Sequence, residues 1–175
     1  MEVNIRKGLT EDLDQVLALI KELAAYEKAP QEVTNTVEMM KEDGFGPHPV
    51  FGLFVAETAG KIVGIAIYYT KYSTWKGKCI FLEDIIVTES LRGKGIGKLL
   101  FERIMEISHT QGVERMEWQV LDWNQPAINF YHKFNANLDP EWINGKLTAK
   151  QLKTYFAERA AGAEIRKSPA PEPIA

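Results

Sequence analysis

The succession of periodic segments predicts an α/β fold of the α+β type, a mixed and mostly antiparallel sheet flanked by helices on both faces. Three observations predict it. Apolar runs of period two and apolar stripes of period 3.6 succeed one another without an internal repeat. Three consecutive β-rich runs between residues 53 and 87 are separated only by short turns and read as antiparallel neighbours. A glycine-rich segment, residues 92–98, then leads from the last of these runs into a helical stripe.

The elements follow in order. Val3 and Ile5 flank Asn4 in a short strand. Thr10 as N-cap, with Glu11 and Asp12 at the positive end, opens a helix that runs to about Tyr26. Leu13, Val16, Leu17, Ile20, Leu23 and Ala24 form its buried face and leave Asp14, Lys21 and Glu22 elsewhere. A second helix is predicted over residues 33–42, before the turn punctuation of residues 43–49.

Residues 53–57 and 62–70, joined through Gly60, form a hairpin. After a turn at Trp75, Lys76 and Gly77 a third strand covers residues 79–87, interrupted by the acids Glu83 and Asp84. Ile96, Leu99, Leu100, Ile104 and Ile107 then mark a helix. Residues 113–121 alternate as a half-exposed strand, with Met116, Trp118 and Val120 on one face. Asn124 caps another helix, with Pro126 tolerated in its first turn and Asn135 closing it in the left-handed conformation. A last short strand is predicted over residues 142–147. Thr148 to Gln151 has the form of a capping box for a final helix with Leu152, Tyr155 and Phe156 on its apolar face.

The 175 residues, 45% hydrophobic, suit one domain over residues 1–162, followed by a flexible Pro-rich tail at 163–175. The net charge of −3 argues against a nucleic-acid partner and leaves room for a cationic substrate. Cys79, the only cysteine, excludes an internal disulfide and is expected in the core. The N-terminus lacks a signal pattern and the longest apolar stretch, residues 50–56, is too short to span a bilayer, so a cytoplasmic protein with no membrane partner is expected. His48, His109 and His132 lack ligand spacing, and no metal is expected.

Chemistry concentrates in two places. Glycines spaced by two at a strand-to-helix junction let the backbone approach an anion, and the helix start adds partial positive charge and free N–H donors. Arg92, Gly93, Lys94, Gly95, Ile96, Gly97 and Lys98 have the wrong third spacing for a dinucleotide fingerprint and lack the Gly-Lys-Ser/Thr of a P-loop. On its own the loop is equally a glycine turn with solvated lysines. The second place is Glu83-Asp84, because a carboxylate within an apolar strand is costly to bury unless it is paired or functional. A structural ion pair is the alternative reading of either acid.

Arg92-Gly93-Lys94-Gly95-Ile96-Gly97 resembles the Arg/Gln-x-x-Gly-x-Gly/Ala motif of the GNAT superfamily of acyl-CoA N-acetyltransferases. More narrowly, Lys21 to Glu27, Glu42 to Gly46, Leu82-Glu83-Asp84 and Trp123 to Tyr131 are similar to segments of spermidine/spermine (diamine) N-acetyltransferases, in that family's order. The resemblance implies the GNAT fold, acetyl-CoA as co-substrate, a homodimer, and direct transfer of an acetyl group to a primary amine of a small cationic substrate, a polyamine or a lysine analogue such as thialysine. Acetylation of proteins or peptides, and a non-catalytic acyl-CoA-binding module, are the alternatives.

An ammonium must lose a proton before its nitrogen attacks a thioester, and Glu83 is the candidate base, directly or through water. By resemblance, Ile85, Ile86 and Val87 offer backbone groups to the pantetheine arm, and Tyr131 is the acid that protonates the departing thiolate. A tyrosine buried for packing is the other reading of Tyr131. Asn124, Gln125, Pro126 and Ala127 are likewise placed beside the coenzyme, and Tyr26, Glu27, Glu117, Trp118 and Gln119 beside the amine. Glu27, Glu83, Glu117 and Glu141 are acids that would draw a linear polyamine. The similarity fades from Asn137 onward; in such enzymes that region helps build the dimer and the amine pocket.

Overall fold

The computed structural model describes residues 2–163. They form two compact units, one ending at Leu121 and the other beginning at Asp122.

The first unit contains β1 (Asn4–Lys7), α1 (Leu13–Tyr26), α2 (Val37–Phe45), β2 (Gly52–Thr58), β3 (Lys61–Ser73), β4 (Gly77–Val87), α3 (Ile96–Thr110) and β5 (Arg115–Glu117). The five strands lie side by side in chain order. β1 to β4 pair antiparallel, whereas β5 is parallel to β4. Short turns permit the antiparallel pairs, and the parallel pair needs the longer crossover that α3 provides.

Both sheet faces are covered. Leu13, Val16 and Leu19 of α1 and Met40 of α2 pack with Leu53, Val55, Ile65, Ile67 and Ile86. Gly64 and Ala66 alternate with Ile65 and Ile67 and so face the other way, toward the buried Leu100 stripe of α3. A Cβ on Gly64 would come within 3.1 Å of Leu100 Cδ1 and 3.0 Å of the Ile86 carbonyl oxygen, so this glycine lets α3 lie close to the sheet. Cys79 is fully buried.

Three boundaries differ from expectation. Thr10 does not cap α1; residues Thr10–Asp12 form a single 3-10 turn. Asp12 accepts the Leu9 N–H at 2.8 Å and both ends of the Arg6 guanidinium at 2.6 and 2.9 Å. α2 begins at Val37, because Thr36 Oγ1 accepts the Met39 N–H at 3.2 Å and residues Pro30–Glu32 take up a separate turn. The strand expected over residues 113–121 pairs only over three residues, since its ladder with β4 ends at Phe81↔Glu117.

The second unit contains α4 (Gln125–His132) and α5 (Ala149–Ala163). Asn124 Oδ1 caps α4 by accepting the Ala127 N–H at 3.3 Å, and Asn135 takes the left-handed φ of 56° expected of it. Thr148 and Gln151 make the reciprocal capping box of α5, at 3.2 and 2.7 Å. The strand predicted over residues 142–147 is not formed. Its apolar residues find no face to bury, and Trp142, Ile143 and Leu147 are 71%, 96% and 68% exposed. The Pro-rich tail expected from residue 163 lies, from residue 164 on, outside the described residues.

Candidate active site

The site of the first unit is built on an irregularity in β4. Tyr68 pairs with Leu82 and Ile67 with Asp84, so Glu83 is an extra residue with no partner on β3, a β-bulge. Such a bulge re-aims the side chains around it. On its other edge β4 pairs with β5 only at Cys79, Ile80 and Phe81. Among the described residues no strand therefore covers that edge from Leu82 to Val87, which leaves the backbone groups that face it, other than the Val87 carbonyl taken by Arg92 Nε, available to an extended ligand.

The bulge separates the two acids. Glu83 is exposed, while Asp84 is half-buried. Burial, then the negative charges of Glu83 and Glu27, push the Asp84 carboxyl up to about 6. Burial also raises Glu27, at the C-terminal end of α1. Among the described residues no basic side chain forms an ion pair with Glu27, Glu83 or Asp84, so this corner holds clustered negative charge without a counter-ion. Burial, followed by the nearby negative charge of Glu83, pushes the Tyr69 phenol up.

Beyond β4 the glycine loop turns through left-handed backbone, with φ of 75° at Gly93 and 85° at Gly95. Gly95 is the N-cap of α3 and no side chain caps the helix. The first helical bond is Leu99 N–H to the Gly95 carbonyl at 3.2 Å, so the N–H groups of Ile96, Gly97 and Lys98 have no acceptor within the helix. That is the geometry of an anion site at a helix start. Gly97 differs from its neighbours: a Cβ there would meet only Val87 Cγ2 at an ordinary 3.8 Å. Lys94 is exposed, and Lys98 pairs with Glu102 on the next turn at 3.6 Å.

Arg92 is committed elsewhere. Its Nε donates to the Val87 carbonyl at 2.9 Å, its Nη2 is 3.6 Å from Glu22 Oε1, and the guanidinium lies 4.8 Å from the Tyr26 ring centre. Glu22 also accepts the Thr88 hydroxyl at 3.0 Å and the Glu89 N–H at 2.8 Å. The spacing of α1 sets Glu22 off the buried face; its partners are 66 and 67 residues away, and nothing in the local sequence announces them.

Other expected residues fall in varied settings. Glu117 is neutralised by Lys71 at 3.2 Å and Arg115 at 3.1 Å, so it offers an incoming cation less than the other acids. Trp118 packs edge-on against Phe101, and Gln119 is exposed. In the second unit Tyr131 is buried one α4 face along from Asn124, Gln125 bonds Asn129 at 2.8 Å, Pro126 is exposed and Ala127 half-buried. Glu141 is exposed in the irregular segment. His48, His109 and His132 are exposed, and among the described residues no acid, His or Cys grouping could hold a metal ion. No helix among them is long and apolar enough to cross a membrane.

Known proteins resemble this chain in sequence and in fold. The chain is 38% identical over 142 residues to the thialysine N-epsilon-acetyltransferase of Bos taurus, covering 77% of this chain and 84% of that one. It is 39% identical over 134 residues to the spermidine/spermine N(1)-acetyltransferase-like protein 1 of Homo sapiens, covering 73% of this chain and 19% of that larger protein. Among solved structures, an integron cassette protein from the mobile metagenome of V. cholerae shares the fold with a TM-score of 0.72 at 22% identity, over 89% of this chain and 98% of that one. An AAC(6')-Iy structure in complex with a bisubstrate analogue of CoA shares it with a TM-score of 0.68 at 16% identity, over 85% and 100%. Residues 16–136 match the acetyltransferase (GNAT) family, and the chain belongs to that family as an N-acetyltransferase.

Proposed function

We propose that this enzyme transfers the acetyl group of acetyl-CoA to a primary amine of a small, cationic substrate, a thialysine-like amino acid or a polyamine, without a metal. The observation that carries the reading is the acid corner at the β4 bulge, where Glu27, Glu83 and Asp84 have no counter-ion among the described residues. Burying like charges costs free energy that an incoming ammonium offsets, so the corner favours cations over neutral or anionic acceptors. Its neighbours in space and sequence, the open β4 edge and the uncapped start of α3, suit a ligand with an extended amide arm and a diphosphate. The acetylated amines in the names of the relatives support the same acceptor class.

Acetyl-CoA supplies an activated acetyl thioester. Gly93, Gly95, Ile96, Gly97 and Lys98 hold its diphosphate through backbone N–H groups, with Lys94 adding charge, and Ile85 to Val87 hold the arm along β4. Asn124, Gln125, Pro126 and Ala127 are further contacts by resemblance. Asp84 and Glu27 clamp the ammonium. Glu83, the solvent-reachable member of the cluster, takes its proton directly or through water, which frees the nitrogen lone pair for attack. Tyr131 gives a proton to the sulfur as the C–S bond breaks and is restored by the second proton of the acylated nitrogen, while Glu83 passes the first to solvent, so the net change is one N–C bond formed, one C–S bond broken and one proton released to water. In solution we expect a homodimer, for which the exposed Trp142, Ile143 and Leu147 provide apolar surface to cover.

The test is thiol release from acetyl-CoA with Glu83→Gln and Asp84→Asn. Glu83→Gln should lower kcat by about 10²–10⁴-fold with the amine KM little changed. Asp84→Asn should instead raise the amine KM. Unchanged kinetics in both variants would remove the acid corner from the mechanism.

A further inference from the structure

The reading above treats the glycine loop as the donor site and the acids near Glu27 as the acceptor site, and the following inference rests on it. We propose that Arg92 is a positioning residue that clamps the C-terminal end of α1, which carries Tyr26 and Glu27, to the segment between β4 and α3. Donor loop and acceptor acids are thereby held as one piece.

Three observations carry the assignment. First, the Arg92 guanidinium uses three different modes at once: a bond to the Val87 carbonyl at 2.9 Å, an ion pair with Glu22 at 3.6 Å, and stacking over Tyr26 at 4.8 Å. Only a planar, multiply donating cation does this, and a lysine ammonium does not. Second, Glu22 reinforces the same junction from the other side, accepting from Thr88 Oγ1 at 3.0 Å and Glu89 N at 2.8 Å. Glu22 and Tyr26 are four residues apart and project from one face of α1. Third, the positive charge of Arg92 is already matched by Glu22, whereas Lys94 on the same loop has no ion pair among the described residues and remains available to an anion. The residue after Tyr26 is Glu27, so a shift of the clamp moves an acceptor acid directly.

The clamp and a plain phosphate contact make different demands. A phosphate contact by Arg92 would survive largely in Arg92→Lys, would not need Glu22, and would affect the donor alone. A clamp fails in Arg92→Lys, fails equally in Glu22→Gln, and reaches the amine.

Steady-state kinetics of the full chain, with the amine varied at saturating donor and the reverse, separate the two. Donors are acetyl-CoA and acetyl-pantetheine, which lacks every phosphate. Arg92→Lys, Arg92→Gln and Glu22→Gln are each expected to raise the amine KM roughly five- to tenfold, as coupled sites do, and the Glu22→Gln/Arg92→Gln double variant should be no worse than either single. The same ratio should persist with acetyl-pantetheine. The clamp is overturned if Glu22→Gln leaves the amine KM unchanged, if the double effect equals the product of the singles, or if the Arg92→Gln effect is confined to the acetyl-CoA KM and disappears with acetyl-pantetheine. Should Arg92→Gln fail to fold, Arg92→Lys and Glu22→Gln decide by the same criteria. A wild type that turns over no amine overturns the acceptor assignment instead; melting temperatures of wild type, Arg92→Gln, Glu22→Gln and the double variant then decide the clamp, coupling supporting it and additivity overturning it.

Discussion

Replacing Asp84 by Asn is predicted to stabilise the protein at neutral pH while impairing it as an enzyme. Burial, with the charges of Glu83 and Glu27 added, raises this carboxyl from 3.8 to about 6. Between those values the folded chain binds more protons than the unfolded chain, so stability falls as pH rises through the window and stays lowered above it. A difference of roughly two units is worth about 3 kcal/mol of opposition to folding once the group is ionised. Asparagine keeps the volume and removes the charge. Urea unfolding of both proteins should therefore show Asp84→Asn more stable by up to about 3 kcal/mol at pH 7, with the gain shrinking toward zero below about pH 4. A difference that does not change with pH, or a variant less stable than wild type at pH 7, would contradict a raised, destabilising Asp84 carboxyl. In the wild type kcat/KM for the amine should fall on the acid side with an apparent pKa near 6, because the ammonium needs the ionised form.

Other outcomes follow from the same structure. Gly93→Ala and Gly95→Ala meet no steric obstacle but force a side chain into φ of 75° and 85°, so each should cost about 1–2 kcal/mol of stability and weaken acetyl-CoA binding, whereas Gly97→Ala should be nearly neutral in thermal melts. Asp12→Ala removes one of the two carboxylates that hold Arg6, the other being Glu57 at 2.7 Å, together with the acceptor of the Leu9 N–H, and should cost about 2 kcal/mol. The Arg6 guanidinium holds the Asp12 carboxyl low, so the stabilisation that this pair adds is present above the ordinary carboxylate range and is lost as pH falls through the lowered value, which acid titration of wild type against variant measures. Tyr131→Phe should lower kcat by about 10²–10⁴-fold in thiol-release assays without a matching loss of fold by circular dichroism.

The sheet and its helices were largely legible because their signals are local. Two apolar runs around the Gly60 turn mark the hairpin of β2 and β3, and glycines followed by a helical stripe mark the start of α3. Where residues found no long-range partner, local pattern misled. Residues 142–147 read as a short strand yet stay exposed, and β5 stops at Glu117 because β4 offers its ladder only as far as Phe81. The site divides in the same way. Glu83-Asp84 stood out as acids in an apolar strand, but which of them is buried depends on a bulge that only pairing with β3 creates. Arg92 reads as a loop cation, Glu22 as a surface acid and Glu117 as a free carboxylate; their ion pairs cross between elements and have no local signature.

The central claim is that this chain moves an acetyl group from acetyl-CoA to a small cationic amine. Release of free thiol from acetyl-CoA, followed with thialysine, lysine, spermidine and spermine in turn, tests it most directly. Saturable release is expected with at least one of these amines, about a hundredfold or more above the rate without amine, and mass spectrometry should find a single acetyl group on the amine nitrogen. Release that is no faster with any of the four than without them would contradict it.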